Sequence, residues 1–280
     1  MMESDFQRLS RFAKQMTDSA GSISYLDLGS GNPIVFVHGG HGGWYHWMAN
    51  IESLAMHRRV IAPDLPGFGA SASPSDGFSL EVVGGRVFDL LDSLKVALFD
   101  LVAFSFGSCI SSYMAATRPE RVRTLTLVNP AGMGPVAQRL SDAQAEASEV
   151  ARTRGMEQGV EVSLKKIMLS DHALVTPELT ALAAHHVKAT RVLTRPIART
   201  NPTRKNVELV QAPVWLVLGS KDPQQTHELA AREKWIKDLS PTNRASVEPA
   251  AHWLQYERAS WFNKHVLEFI SSRHAHRQHA

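Results

Sequence analysis

A single cysteine, Cys109, in 280 residues leaves no internal disulfide framework and suits a reducing compartment. Charge of one sign is scarce too. The 30 Lys and Arg stand against 27 Asp and Glu, a net charge of +3, so no basic surface for nucleic acid is expected. The first twenty residues scatter Glu3, Asp5, Arg8, Arg11, Lys14 and Asp18, which leaves no apolar stretch of signal-peptide length. No later segment reaches the ~20 apolar residues of a membrane span. No internal repeat is present, and His, Cys and carboxylates nowhere share convincing metal-ligand spacing, so neither metal nor cofactor is expected. The biased tail from Arg273, with His274, His276 and His279, reads as a frayed terminus. These absences leave a cytoplasmic protein whose expected partner is a small-molecule substrate, with no nucleic acid, no membrane, and a homodimer left open.

What is present is 44% hydrophobic residues, enough for one large α/β domain with room for an insertion. Compact apolar runs at Ile34–His38, Arg59–Asp64, Leu101–Phe104, Val122–Asn129 and Val214–Ser220 read as strands, with Ala245–Pro249 a weaker one. Helical patterns at Trp44–Met56, Ser79–Leu94, Gly107–Thr117, Thr226–Leu239 and Ser260–Ser272 lie between and after them. The alternation predicts a mostly parallel sheet covered on both faces, with chemistry gathered at the strand carboxyl ends. It stops between Asn129 and Val214. There Ser141–Gly155, Val160–Ser170 and Pro177–Leu193 look helical, far more chain than one crossover needs. The expected organisation is a core of residues 1–132 and 212–280 with a helical cap over 133–211.

The apolar run ending at Phe104 leads straight into Ser105-Phe106-Gly107 and a helix, which puts Ser105 on a strand-to-helix corner. Such a corner needs small residues two before and two after the serine; here they are Ala103, where glycine is usual, and Gly107. A serine hydroxyl needs a base, and the base an orienting acid. Asp222 follows the Val214 strand, and His252 follows the last candidate strand. The chain order Ser, Asp, His is the one expected for a triad on a parallel sheet. The run His38-Gly39-Gly40-His41-Gly42-Gly43 ends the Ile34 strand. It lets amides approach a developing oxyanion closely, and Gly40 and Phe106 N–H are the assigned donors. A phosphate cradle is the other use of such a run, but this one has neither the G-x-G-x-x-G spacing nor the Walker lysine.

Together these elements resemble the α/β-hydrolase superfamily over residues from about 22 to 272. The stretch Asp64-Leu-Pro-Gly-Phe-Gly-Ala-Ser is similar to the family's D-x-x-G-x-G-x-S loop, and His252-Trp-Leu-Gln-Tyr-Glu to its histidine loop. The resemblance implies an α/β-hydrolase fold of about eight strands with a helical lid after the Val122 strand. It is closest to lid-bearing esterases and to hydrolases that cleave carbon–carbon bonds of ring-fission products. The latter usually carry Asn before the nucleophile, where this chain has Phe104. The expected activity is a serine hydrolase acting on a small ester or related activated carbonyl. Rivals are a carbon–carbon hydrolase of vinylogous diketones, a cofactor-free lyase or oxygenase, and a non-catalytic ligand receptor on the same fold.

Trp44, Phe104, Phe106 and Trp253 flank these positions and are expected to line an apolar pocket. Arg191, Arg195 and Arg199 recur at every fourth position, so Arg191 is a candidate for a substrate carboxylate, with a solvated charged face as the alternative. Cys109 reads as a core thiol and Asp64 as a turn residue. His38 and His41 are expected to shape the glycine loop, and His185 and His186 to face solvent.

Overall fold

The computed structural model describes residues 4–135, 137–224 and 228–277. Eight strands form one sheet: β1 (Ala13–Asp18), β2 (Gly21–Leu28), β3 (Pro33–Val37), β4 (Arg59–Pro63), β5 (Phe99–Phe104), β6 (Val122–Val128), β7 (Val214–Gly219) and β8 (Arg244–Glu248). They lie in the order β1-β2-β4-β3-β5-β6-β7-β8. β2 runs antiparallel to both neighbours and the rest pair in parallel. The β1–β2 hairpin has no counterpart among the strands expected from sequence. β1 carries Lys14, Gln15, Thr17 and Asp18 on an edge that is mostly exposed, so it has no apolar run to announce it.

The helices, in chain order, are α1 (Asp5–Ser10), α2 (Met48–Ala55), α3 (Leu80–Ser93), α4 (Gly107–Thr117), α5 (Gln138–Arg154), α6 (Met156–Ser163), α7 (Pro177–Ala189), α8 (Arg195–Ala198), α9 (Pro202–Val207), α10 (Leu229–Leu239), α11 (Leu254–Glu257) and α12 (Ala259–Arg277). The sheet is buried on both faces because successive side chains point opposite ways. Val35, Val37, Leu101, Ala103, Leu216 and Leu218 pack with residues of α3, α4 and α10. Their sequence neighbours Ile34, Phe36, Val102, Phe104, Trp215 and Val217 pack with α2, α11 and α12. Ser79 caps α3 by accepting the Val82 amide, as its sequence setting predicts. The expected start of a helix at Thr226 and the tail residue His279 lie outside the described residues.

Helices α5 to α9 occupy the chain between β6 and β7, and we call α5 to α8 with their connections the cap segment. Its second helix changes character midway: α6 passes into a π-helical turn over Leu164–Met168. Turns of this kind place an extra residue in the helix and recur at functional sites.

Candidate active site

Ser105 occupies a sharp corner with φ +50°, a left-handed conformation that a non-glycine residue adopts at a cost of order 1–3 kcal/mol. Its surroundings hold it there. The Ser105 amide donates to Val128 O, and its carbonyl accepts from the amides of Ser108 and Ala131. A Cβ on Gly107 would sit 2.5 Å from the carbonyl oxygens of both Val37 and His38, so the approach of α4 to β3 admits only glycine at that position.

Asp222 and His252 meet Ser105 across the carboxyl ends of β5, β7 and β8. His252 Nε2 lies 2.8 Å from Ser105 Oγ, and His252 Nδ1 lies 2.7 Å from Asp222 Oδ2. Asp222 is fully buried, and its second carboxylate oxygen accepts the Gln224 amide at 2.9 Å. The carboxylate therefore fixes the Nδ1-protonated imidazole and leaves Nε2 free to accept the serine proton. Gly40 and Phe106 line the same cavity as Ser105 and His252. Among the described residues neither of their amides donates to another protein group, as a pair of waiting oxyanion donors requires.

The glycine loop is held by two histidines that burial keeps neutral. His38 Nε2 accepts the Leu65 amide at 2.9 Å, so its Nδ1 carries the proton and donates to Gly39 O at 2.7 Å. Burial pushes its pKa down to about 4. His46 Nδ1 accepts the Gly39 amide at 3.2 Å, and burial again, with neighbouring imidazoles, holds this ring well below the usual range. His46 also lines the cavity, a placement its sequence context inside a Trp-rich segment does not announce. Asp64 is not joined to Ser105, Asp222 or His252. Its carboxylate accepts the amides of Trp44 at 2.8 Å and Ala70 at 3.0 Å and ties two loops together. Burial raises it to about 6. Cys109 is a buried thiol pushed up to about 12 by desolvation, which keeps it protonated and inert.

The cavity has a volume of about 530 Å³. Phe104, Phe106, Tyr45 and His46 form its floor beside Ser105; Leu140, Ala147, Ala151, Val160, Leu164 and Ala183 wall it on the cap side. Three residues expected in it are elsewhere. Trp44 stacks on Phe6 at 4.8 Å with its backbone tied to Asp64. Trp253 is fully buried, stacks on Tyr256 at 4.4 Å and donates its indole N–H to His46 O. Arg191 donates to the carbonyls of Gly69, Ser71 and Ala189 and to Ser73 Oγ, so it fastens the cap segment to the loop after β4. Adjacency to a site loop does not fix a side chain's direction, and for these three the backbone carries the side chain away. Arg195 and Arg199 do reach the cavity. His186, expected in solvent, is buried on α7, stacked on Tyr45 at 4.3 Å.

Asn129 is a site residue that sequence reading missed. At the end of β6, with φ +41°, it donates to Ala251 O and His252 O and accepts the Gly219 amide, joining the loops that carry Asp222 and His252. An asparagine closing an apolar strand was the available signal, since that residue tolerates the left-handed region.

Comparison with known proteins gives the same architecture. A family model described as alpha/beta hydrolase fold matches residues 32–259. The chain is 30% identical over 274 residues to a 2-hydroxy-6-oxo-2,4-heptadienoate hydrolase of Pseudomonas putida, covering 88% of this chain and 91% of that protein. It is 31% identical over 272 residues to a dihydrolipoyllysine-residue acetyltransferase component of an acetoin cleaving system from the same species, covering 92% of this chain and 69% of that one. Among solved structures, a meta-cleavage product hydrolase from Pseudomonas fluorescens superposes with TM-score 0.77 at 22% identity, covering 94% of this chain and 99% of that one. No helix among the described residues is long and apolar enough to cross a membrane.

Proposed function

The chain belongs to the α/β-hydrolase fold family, and from that premise we propose that it is a serine hydrolase cleaving a small ester or related activated carbonyl compound. The observation that carries this reading is the unbroken relay from Asp222 Oδ2 through His252 to Ser105 Oγ, at 2.7 and 2.8 Å. Ser105 Oγ attacks the carbonyl carbon while His252 Nε2 takes its proton, and Asp222 favours the imidazolium that forms. The oxyanion is held by the Gly40 and Phe106 amides, each such donor contributing about 2.7–4 kcal/mol. Collapse breaks the bond to the leaving group, which receives the proton from His252. Water then attacks the acyl-enzyme, giving its proton to His252, and Ser105 leaves with that proton restored.

A second reading is a carbon–carbon hydrolase of ring-fission products, favoured by the names of the relatives and by cavity arginines Arg195 and Arg199. Phe104 counts against it, because it places an apolar ring against His252, 4.9 Å between centroids, where those enzymes usually carry Asn.

A fluorophosphonate probe tests the serine: labelling of wild type but not of Ser105→Ala is expected, and folded wild type that resists labelling would sink the reading. Aryl esters compared with a ring-fission dienoate then separate the two substrate classes.

A further inference from the structure

One carboxylate outside the triad gathers four hydrogen bonds. Glu257, at the end of α11, accepts the Ala251 amide at 2.9 Å, the Ser170 amide at 3.1 Å, the Asp171 amide at 3.1 Å and the Ser170 hydroxyl. Ala251 precedes His252, whereas Ser170 and Asp171 belong to the cap segment just beyond the π-helical turn. That turn touches the base loop as well. The amides of His252 and Trp253 donate to Ile167 O at 3.1 Å and Met168 O at 2.8 Å. Side chains of Ile167 and Met168 line the cavity. The acid side joins the same knot, since Lys221, the residue before Asp222, donates from Nζ to Ser170 Oγ at 3.3 Å.

The arrangement is more than a surface ion pair. An ionised carboxylate saturates three main-chain amides and a hydroxyl, bonds of the strong charge-assisted kind. Their donors come from two segments distant in sequence. Without the carboxylate the Ala251, Ser170 and Asp171 amides lose their common acceptor, and the base loop keeps only its two bonds to the π-helical turn on that side. The segment that meets substrate is therefore the segment that holds the catalytic histidine's backbone.

We propose that Glu257 is a positioning residue: it locks the cap residues Ser170 and Asp171 to the loop carrying His252 and so sets the distance of His252 Nε2 from Ser105 Oγ. This rests on the serine-hydrolase reading. A displacement of the base by a fraction of the hydrogen-bond length weakens proton removal from Ser105.

The test is the second-order rate constant for fluorophosphonate labelling of Ser105, measured with melting temperature on wild type, Glu257→Gln and Ser170→Ala. Glutamine keeps the size but turns one oxygen into a donor that faces donors. Glu257→Gln is expected to label about tenfold more slowly while still folded, and Ser170→Ala, which deletes one hydroxyl and keeps every amide bond, about threefold more slowly. Turnover of an aryl ester should show the loss in kcat with KM little changed. A wild type that labels, with Glu257→Gln and Ser170→Ala labelling at its rate, overturns the positioning role alone. If Glu257→Gln does not fold, Ser170→Ala decides by itself. A folded wild type that does not label overturns the serine reading and this inference with it.

Discussion

The side-chain amide of Asn129 donates to the main-chain carbonyl of His252 at 2.8 Å. The same group bonds Ala251 O at 3.0 Å, and its oxygen accepts the Gly219 amide at 2.7 Å. All three partners are buried main-chain groups at the ends of the strands that lead to Asp222 and His252. Asn129→Ala strands them and places alanine at φ +41°. Each buried group left unpaired costs about 1–3 kcal/mol. The expected outcome is a melting temperature lower by at least about 6 °C, with kcat/KM for an aryl ester down at least about tenfold. Asn129→Asp keeps the acceptor for Gly219 but sets an anionic oxygen against two carbonyls, and is expected to be no better than alanine. Calorimetry and ester kinetics check both, and a variant with wild-type kcat/KM removes Asn129 from the base's support.

The two small residues flanking Ser105 differ in what they tolerate. A Cβ at Gly107 meets backbone oxygens of Val37 and His38 at 2.5 Å, neither of which can retreat without moving β3 and the glycine loop. Gly107→Ala is expected to destabilise by about 1–3 kcal/mol and to lower activity through the displaced Gly40 donor. Ala103→Gly, in a fully buried strand position between Val37 and Leu127, costs only about 0.5–1 kcal/mol of backbone freedom and leaves turnover in place. Urea unfolding of the pair measures the contrast, and equal costs would count against the close approach of α4 to β3.

Acid should destabilise the fold through histidines that are buried neutral. The unfolded chain binds a proton at each imidazole near pH 6.5, but the folded chain resists until about 4 at His38 and about 3 at His186. Their contribution is complete above pH 6.5 and is lost as pH falls toward those values. At pH 5 each costs about 2 kcal/mol relative to pH 7.5. Asp64 works the other way. With its carboxyl raised to about 6, the folded chain takes up that proton first, and the resulting stability, present below about 4, is lost as pH rises through 6. At pH 5 it returns about 1 kcal/mol, so the net change remains a loss.

His186 offers a probe of that balance, because its buried ring stacks on Tyr45, meets Phe6 edge-on and is held low by burial. Phenylalanine keeps the packing and removes the titrating ring. His186→Phe is expected to gain about 2 kcal/mol of urea stability relative to wild type on going from pH 7.5 to pH 5. A margin independent of pH would mean that His186 gains its proton in the folded state as easily as in the unfolded one.

What could be read before the fold was known follows from how each residue announces itself. Ser105, Asp222 and His252 each end a strand in a turn with its own local signature, and the parallel sheet brings such ends together whatever the loops do. The central strands were visible for the same reason, as dense apolar runs. Side-chain direction was not visible: Trp44 and Trp253 sit beside site loops yet turn into the packing around α1 and α11. Nor was the cavity's far wall. Ala147, Ala151 and Ala183 are small residues on amphipathic helices, and nothing in their neighbours distinguishes a wall from an ordinary buried face. The bonds of Asn129 to Ala251 and His252 and of Glu257 to Ser170 and Asp171 join groups distant in sequence, so a local pattern marks these residues without giving their partners.

That wall makes the last prediction. Ala183 lies on α7 with its methyl group lining the cavity, next to Val160 and Leu164 of the facing helix and turn in the same apolar lining. The floor beside Ser105 is built from Phe104, Phe106 and His46, on other elements. A phenyl ring at position 183 therefore fills space that a long apolar chain would occupy and leaves the reacting carbonyl's surroundings unchanged. In an apolar pocket each methylene that loses its place costs about 1–3 kcal/mol of transition-state binding. Ala183→Phe is expected to lower kcat/KM for an octanoate aryl ester by about tenfold or more, with the acetate ester changed by less than about threefold. Steady-state kinetics across an acyl series from two to eight carbons measures this. Equal losses along the series would place the acyl chain away from α7, and an unchanged profile would mean that the cap side receives no part of the ester.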